Sequence, residues 1–271
     1  MNARVAAAID TAVARLQRAE RDREPVQPVR EFLGEDAIDA AYEVQRRIIA
    51  AKVANGARVV GRKIGLTSEA VQRQLGVDRP DFGVLLDDMV FGDRAELPLG
   101  RFCQPRVEGE VAFVLGADLP ERATVVDVLR ATDFLLPAIE IVDSRVAGWD
   151  IRITDTVADN ASSGAVVLGT RPVKPSEVDL ASLGMVLEHG GEPISTGVGA
   201  ACLGSPAVAV TWLAREVAGR GEPLRAGEVV LAGAWGPMVG VTAPGTYLAR
   251  FEDIGEVRVG FTAGPDEGKR A

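Results

Sequence analysis

The chain has 271 residues, 47% of them hydrophobic, and its 39 acidic and 30 basic side chains give a formal net charge of -9. That length can bury a full core and lies near the upper end for one domain, while the acidic balance, with no Lys/Arg run, excludes the basic stripe that a nucleic-acid partner needs. Arg4, Asp10 and Arg15 interrupt the N-terminal alanines, and Pro237 and Pro244 break the uncharged stretch between Glu228 and Arg250, so neither a signal peptide nor a membrane span is expected.

In chain order, Val5, Ile9, Val13 and Leu16 recur at helical spacing and predict a helix over 2–21, followed by a charged, proline-containing linker over 20–29. A second helix is expected over about 36–55, with Ile38, Ala41, Val44, Ile48 and Val53 on its apolar side and Gly56 as its stop. From Val59 the texture changes. Short apolar runs at 110–115, 135–142, 164–168, 183–188 and 228–232 alternate with Gly, Pro and Asp turns and read as strands. The organisation expected is an α+β chain: a helical region over 1–58, a β-rich catalytic core over 59–262 and a polar tail over 263–271. Within the core one clear helix spans 206–218, with Ser205 as N-cap and Pro206 in its first turn. The glycines of 197–204 do not fit a dinucleotide loop and read as packed or turning backbone. His189, the single histidine, lies beside Gly190 and Gly191 in what reads as a solvent-facing hairpin turn. Cys103 and Cys202 lack metal or redox spacing and read as structural residues of a cytoplasmic protein.

The chemistry is concentrated in acidic residues set among apolar ones. Residues two apart on a strand share a face, so Glu108 and Glu110 in the run 105–115 can converge on one ion. Glu140 sits inside the apolar run 135–142, where a carboxylate is expensive to bury unless it is paired or bound to metal. Three carboxylates without a Cys or His cluster suit a hard cation, Mg²⁺ or Mn²⁺, that keeps open positions for a substrate. The lone histidine speaks against a Ser-His-Asp enzyme and against a histidine-based metal site.

Five ordered blocks carry a family resemblance: Gly61-Arg62-Lys63-Ile64-Gly65-Leu66-Thr67-Ser68, Pro80-Asp81-Phe82-Gly83, the run 104–110, Glu140-Ile141-Val142-Asp143-Ser144-Arg145, and the run 155–163. Through them the chain resembles the fumarylacetoacetate hydrolase superfamily and, within it, the 2-keto-4-pentenoate hydratases of aromatic meta-cleavage pathways. The resemblance implies a mixed β-roll or β-sandwich core and a divalent metal held by Glu108, Glu110 and Glu140. It also implies a homo-oligomer, pentameric or decameric, with possible association with a homologous decarboxylase or a downstream aldolase. Lys63 and Asp81 match the family's catalytic lysine and aspartate, and Ser162 a serine of the substrate pocket. Asn160 and Trp235 are further candidates for substrate contact; Asn160 and Ser162 also suit local capping of the backbone.

The activity implied is addition of water to 2-hydroxypenta-2,4-dienoate or a close homologue, giving 4-hydroxy-2-oxopentanoate. Two departures bear on the substrate: Trp235 in the segment 233–238, and Val84 after the Phe82-Gly83 turn, each able to reshape the pocket. The alternatives are a 2-oxo-3-enedioate decarboxylase of the 4-oxalocrotonate type and, from another class, an inactive oligomeric scaffold for a pathway partner.

Overall fold

The computed structural model describes residues 3–68, 72, 77 and 79–264, so the expected tail lies outside the described residues from 265 onward. Helix α1 (Ala3–Asp22) buries Ile9, Ala12, Leu16 and Ala19, the stripe that helical spacing requires. Val5, expected on that stripe, is instead exposed. A short helix α2 (Arg30–Leu33), not anticipated in the sequence, is pinned by Asp155, whose carboxylate accepts from the Arg30 backbone N–H at 2.9 Å and its guanidinium at 2.6 Å. Helix α3 (Ile38–Ala54) buries Ala41, Val44, Gln45, Ile48 and Ile49 and leaves Val53 in solvent.

Two sheets follow. The larger is built from β1 (Val59–Gly65), β2 (Asp81–Leu86), β3 (Val90–Gly92), β5 (Pro105–Leu115), β6 (Thr132–Asp143), β7 (Ser163–Leu168), β10 (Val229–Leu231) and β11 (Val239–Gly240). Its order is β2-β1-β10-β5-β6-β7-β3, with β11 on the outer part of β5; β1/β10 and β3/β7 run parallel and the other pairs antiparallel. The smaller contains β4 (Ala95–Pro98), β8 (Gly184–His189), β9 (Glu192–Val198), β12 (Gly245–Phe251) and β13 (Gly255–Thr262), ordered β4-β13-β12-β8-β9. The main core lies between the sheets, where Val107, Val111, Phe113, Ile139 and Ile141 meet Met185, Leu187, Ala249 and Val257. Three further helices flank it: α4 (Val125–Ala131), α5 (Ile153–Ala158) and α6 (Pro206–Gly219). Ile153, Val157 and Ala158 of α5 complete a second apolar cluster with α1 and α3, so the N-terminal helices rest on the element that leads into the run 159–163.

The strands expected from apolar runs all form, and the main correction is at their ends. Ser205 occupies the N-cap position of α6, yet its hydroxyl caps nothing; its carbonyl accepts from Val208 and Ala209 instead. His189 is not simply solvent-facing: its ring stacks on Tyr247 at 4.5 Å and Nδ1 lies 3.1 Å from the Thr246 carbonyl. The packed-backbone reading of 197–204 holds, since a Cβ on Gly197 or Gly199 would collide with the carbonyls of Trp235 and Leu180. Among the described residues no helix is long and apolar enough to cross a membrane.

Candidate active site

The site begins with register. In the antiparallel pair β5/β6, Glu108 stands directly opposite Glu140, and Glu110 follows two residues on along the same face. Gly109 between them faces the core, where a Cβ would fall 2.9 Å from Met185 Sδ, so glycine lets β5 pack there without displacing that side chain while both neighbours turn outward. One oxygen from each of the three carboxylates lies within 4.8 Å of the others. Burial, reinforced by Glu140, pushes the Glu108 carboxyl up to about 7, and burial with Glu140 and Glu108 pushes Glu110 well above the usual carboxylate range. Glu110 Oε2 is held by the Gly233 N–H at 2.8 Å.

Strands β1 and β2 supply the next two groups. Their register sets Lys63 opposite Gly83 and Gly65 opposite Asp81. Asp81 Oδ1 occupies the space that a side chain on residue 65 would fill, which explains the glycine. Lys63 is 3% exposed, and its Nζ lies 3.2 Å from Glu140 Oε1. Burial alone would lower the lysine's pKa, but Glu140, Asp81, Glu108 and Glu110 outweigh it and hold the ammonium above its usual value. Burial raises Asp81 against the opposing pull of Lys63.

The run Asn160–Ser162 forms a left-handed turn, with φ of 54°, 50° and 53° at three successive non-glycine residues. Each left-handed L-residue costs about 1–2 kcal/mol, so the turn persists only because its surroundings fix it. Buried Arg145 donates to the Asp159 carboxylate and carbonyl and to the carbonyls of Asp143 and Ser163. The Asn160 amide pairs with the Val84 backbone in both directions, at 2.8 and 2.9 Å. Its carbonyl and one amide N–H are thus engaged by β2, and the residue does not line the cavity; of its two sequence readings, the structure carries backbone capping. Ser162 does line the cavity, and its buried Oγ has no hydrogen-bond partner among the described residues. Asn160→Ala should lower stability by about 2 kcal/mol, because it leaves the Val84 N–H and C=O unsatisfied. The midpoint of urea unfolding checks this; an unchanged midpoint would show that the pairing contributes nothing.

Lys63, Asp81, Glu108, Glu110, Glu140 and Ser162 therefore share one cavity, whose remaining wall includes Leu66, Thr67, Val142, Trp149, Ile151, Thr156, Ala234 and Met238. Trp235 is not among them. It is buried on the core side, edge-on to Phe251 at 5.2 Å, while its neighbour Ala234 and then Met238 reach the cavity. Val84 is buried in β2 with Ile49, Leu86 and Met89, away from the cavity wall. Trp149 and Thr156 also line the cavity without having been expected there. Thr156 lies within the run 155–163; Trp149 follows Gly148 in a short 3₁₀ turn, with no periodicity to mark it.

Neither Glu140 oxygen and not Asp81 Oδ1 receives a hydrogen bond from the described residues, although all are buried. The one positive group beside them among the described residues is Lys63, at 3.2 Å from Glu140 Oε1, which is less than three clustered carboxylates call for, and an all-oxygen donor set fits a hard divalent cation. The two sheets thus bring a carboxylate triad that could hold a metal ion into one cavity with a buried lysine and aspartate. The family model for the fumarylacetoacetate hydrolase C-terminal region matches residues 49–264, and the chain belongs to that family. It is 49% identical over 263 residues to a 2-keto-4-pentenoate hydratase of Paraburkholderia xenovorans, covering 97% of this chain and 98% of the relative. To the TodF product hydratase of Pseudomonas putida F1 it is 51% identical over 255 residues, covering 94% and 95%. Among solved structures it resembles 4-oxalocrotonate decarboxylase from Pseudomonas putida G7, complexed with magnesium and adipate, with a TM-score of 0.89 and 34% identity over 94% of this chain and 97% of that one.

Proposed function

We propose that the chain is a metal-dependent hydratase that converts 2-hydroxypenta-2,4-dienoate, or a close homologue, into 4-hydroxy-2-oxopentanoate. The observation that carries this reading is the convergence of Lys63, Asp81 and the three glutamates on one cavity, in a chain about half identical to named hydratases along nearly its whole length. On this reading Glu108, Glu110 and Glu140 hold Mg²⁺ or Mn²⁺, residues 59–262 are the catalytic unit, and residues 1–58 brace it. The protein would act as a homo-oligomer, with a homologous decarboxylase or downstream aldolase as possible company. A cytoplasmic setting is in keeping with two free cysteines.

Bound there, the cation would supply Lewis-acid polarisation of the substrate's 2-oxygen. The protein's own residues handle protons and water. Net hydration moves the enol proton's equivalent to C5, adds hydroxide from water at C4 and leaves the water's other proton at C3. Lys63 and Asp81, buried side by side, are the groups placed to exchange those protons. Ser162 Oγ, with no hydrogen-bond partner among the described residues, is available to bind substrate or the attacking water.

The names of the chain's relatives support hydratase over decarboxylase, and so does the cavity wall. Among its described residues Lys63 is the only cation, and Val142, Ile151, Ala234 and Met238 offer apolar contact. Arg106, on the next same-face rung, is engaged by the Trp149 ring at 4.2 Å, so a second, distal carboxylate would have to compete with the indole for that guanidinium. With Mg²⁺, freshly prepared 2-hydroxypenta-2,4-dienoate should yield the hydrated product, identified by mass and NMR, and 2-oxo-3-hexenedioate should release little CO₂. Rapid CO₂ release with no hydrated product would overturn the hydratase reading and put the decarboxylase in its place.

A further inference from the structure

We infer that Trp149 is the wall that sets how long a substrate this cavity accepts, the end remote from the carboxylates meeting its indole ring. The choice of substrates rests on the hydratase reading; the geometry does not. Along β5 and β6 the rungs facing the cavity are Glu110/Ala138, then Glu108/Glu140, then Arg106/Val142. Same-face rungs are about 7 Å apart, comparable to the length of a small acid whose head group lies among the glutamates. At the third rung Val142 lines the cavity, and the Arg106 guanidinium carbon lies 4.2 Å from the Trp149 ring centroid.

The ring is fixed from several sides. Its Nε1–H donates to the Gln104 carbonyl at 3.1 Å. The Gln104 side chain in turn accepts from the Gly148 N–H at 2.8 Å and donates to the carbonyls of Ser144 and Val146, stapling the loop to the start of β5. The Arg106 side chain makes no hydrogen bond or ion pair among the described residues, and beyond the pull of Glu108 its contact is the indole face. Trp149 has φ of 57°, a conformation that a bulky residue keeps only when its surroundings over-determine it. A large aromatic held in strained backbone, anchored through its own N–H and backed by a cation, suits a rigid limit on ligand length. Trp235, buried against Phe251, has no such access.

The test measures a length profile in two ways. Parent, Trp149→Gly and Trp149→Phe are compared on 2-hydroxyalka-2,4-dienoates carrying hydrogen, methyl, ethyl or propyl at C5. Binding of the saturated 2-oxo acids of matching length is measured by calorimetry in Mg²⁺. Glycine tolerates the left-handed backbone, so this truncation removes the ring without adding strain. Trp149→Gly should shift the long-to-short ratio of kcat/KM, and of binding, about 10-fold or more toward the longer members, the usual worth of one methylene in a pocket. Trp149→Phe should fall between it and the parent, and Mg²⁺ affinity should not change in either. The same length profile in all three proteins, or equal loss across all lengths, would overturn the inference. If no dienoate is turned over but the 2-oxo acid profile still shifts, the hydratase reading fails and the role of Trp149 stands.

Discussion

Removing divalent metal should bring turnover to background, and Mg²⁺ or Mn²⁺ should restore it. The reason lies in the carboxylate triad. Glu108 and Glu140 face each other across β5/β6, Glu110 is almost fully buried beside them, and Lys63 offers Glu140 a single ammonium. Three clustered carboxylates exceed what one lysine neutralises, so a divalent cation is both stabilised by the site and stabilising to it. At 100 times its Kd, a ligand that binds only the folded state adds about 2.7 kcal/mol. Metal should therefore raise Tm as well as activity. Glu140→Gln should weaken Mg²⁺ binding by about 100-fold or more, since loss of even a partner of a ligand commonly weakens binding 10–100-fold. Full activity after verified metal removal, or parental Mg²⁺ affinity in Glu140→Gln, would show that these carboxylates have been given the wrong task.

Lys63→Met should lower kcat by about 10²-fold or more, the ordinary contribution of a positioned proton-transfer group. Its effect on metal should run the other way. The ammonium competes for Glu140 at 3.2 Å, so removing it takes a like charge away from the cation's position and Mg²⁺ should bind at least as tightly. The metal-free variant, left with buried carboxylates and no counter-charge, should lose about 3–5 kcal/mol of stability. This split distinguishes proton transfer from a purely structural ion pair, which would show the stability loss and regain parental kcat once Mg²⁺ is bound. Parental kcat in the loaded variant would return Lys63 to that structural role.

Much of this site was legible in the sequence because its logic is local. The two-residue spacing of Glu108 and Glu110 follows from strand geometry, and Glu140 was conspicuous as a carboxylate in an apolar run. Lys63 and Asp81 came from motif resemblance. Their convergence depends on β1 and β2 being held in register beside β10 and β5, which no local pattern reveals. Asn160 and Trp235 show where such reading ends. An asparagine next to a pocket serine invites a ligand role, but Val84, 76 residues away in sequence, takes its amide. Trp235 and Trp149 are both loop tryptophans, and only the fold decides which one turns toward the cavity. Ser205 holds the N-cap position of α6 without a side-chain cap because the Val208 N–H it would receive already donates to its carbonyl.

The alternation of Glu108, Gly109 and Glu110 also bears on how the chain avoids misfolding. If β5 slid by one residue against β6 during assembly, both glutamates would turn into the apolar interior and Gly109 would face outward, leaving charge where Met185 now packs. A hydrophobic strand without those carboxylates could tolerate such a slip. This one cannot, because burying either charge unpaired is prohibitive. The side chains assigned to the cation thus also penalise the nearest wrong pairing of the two longest strands, before any ligand is present.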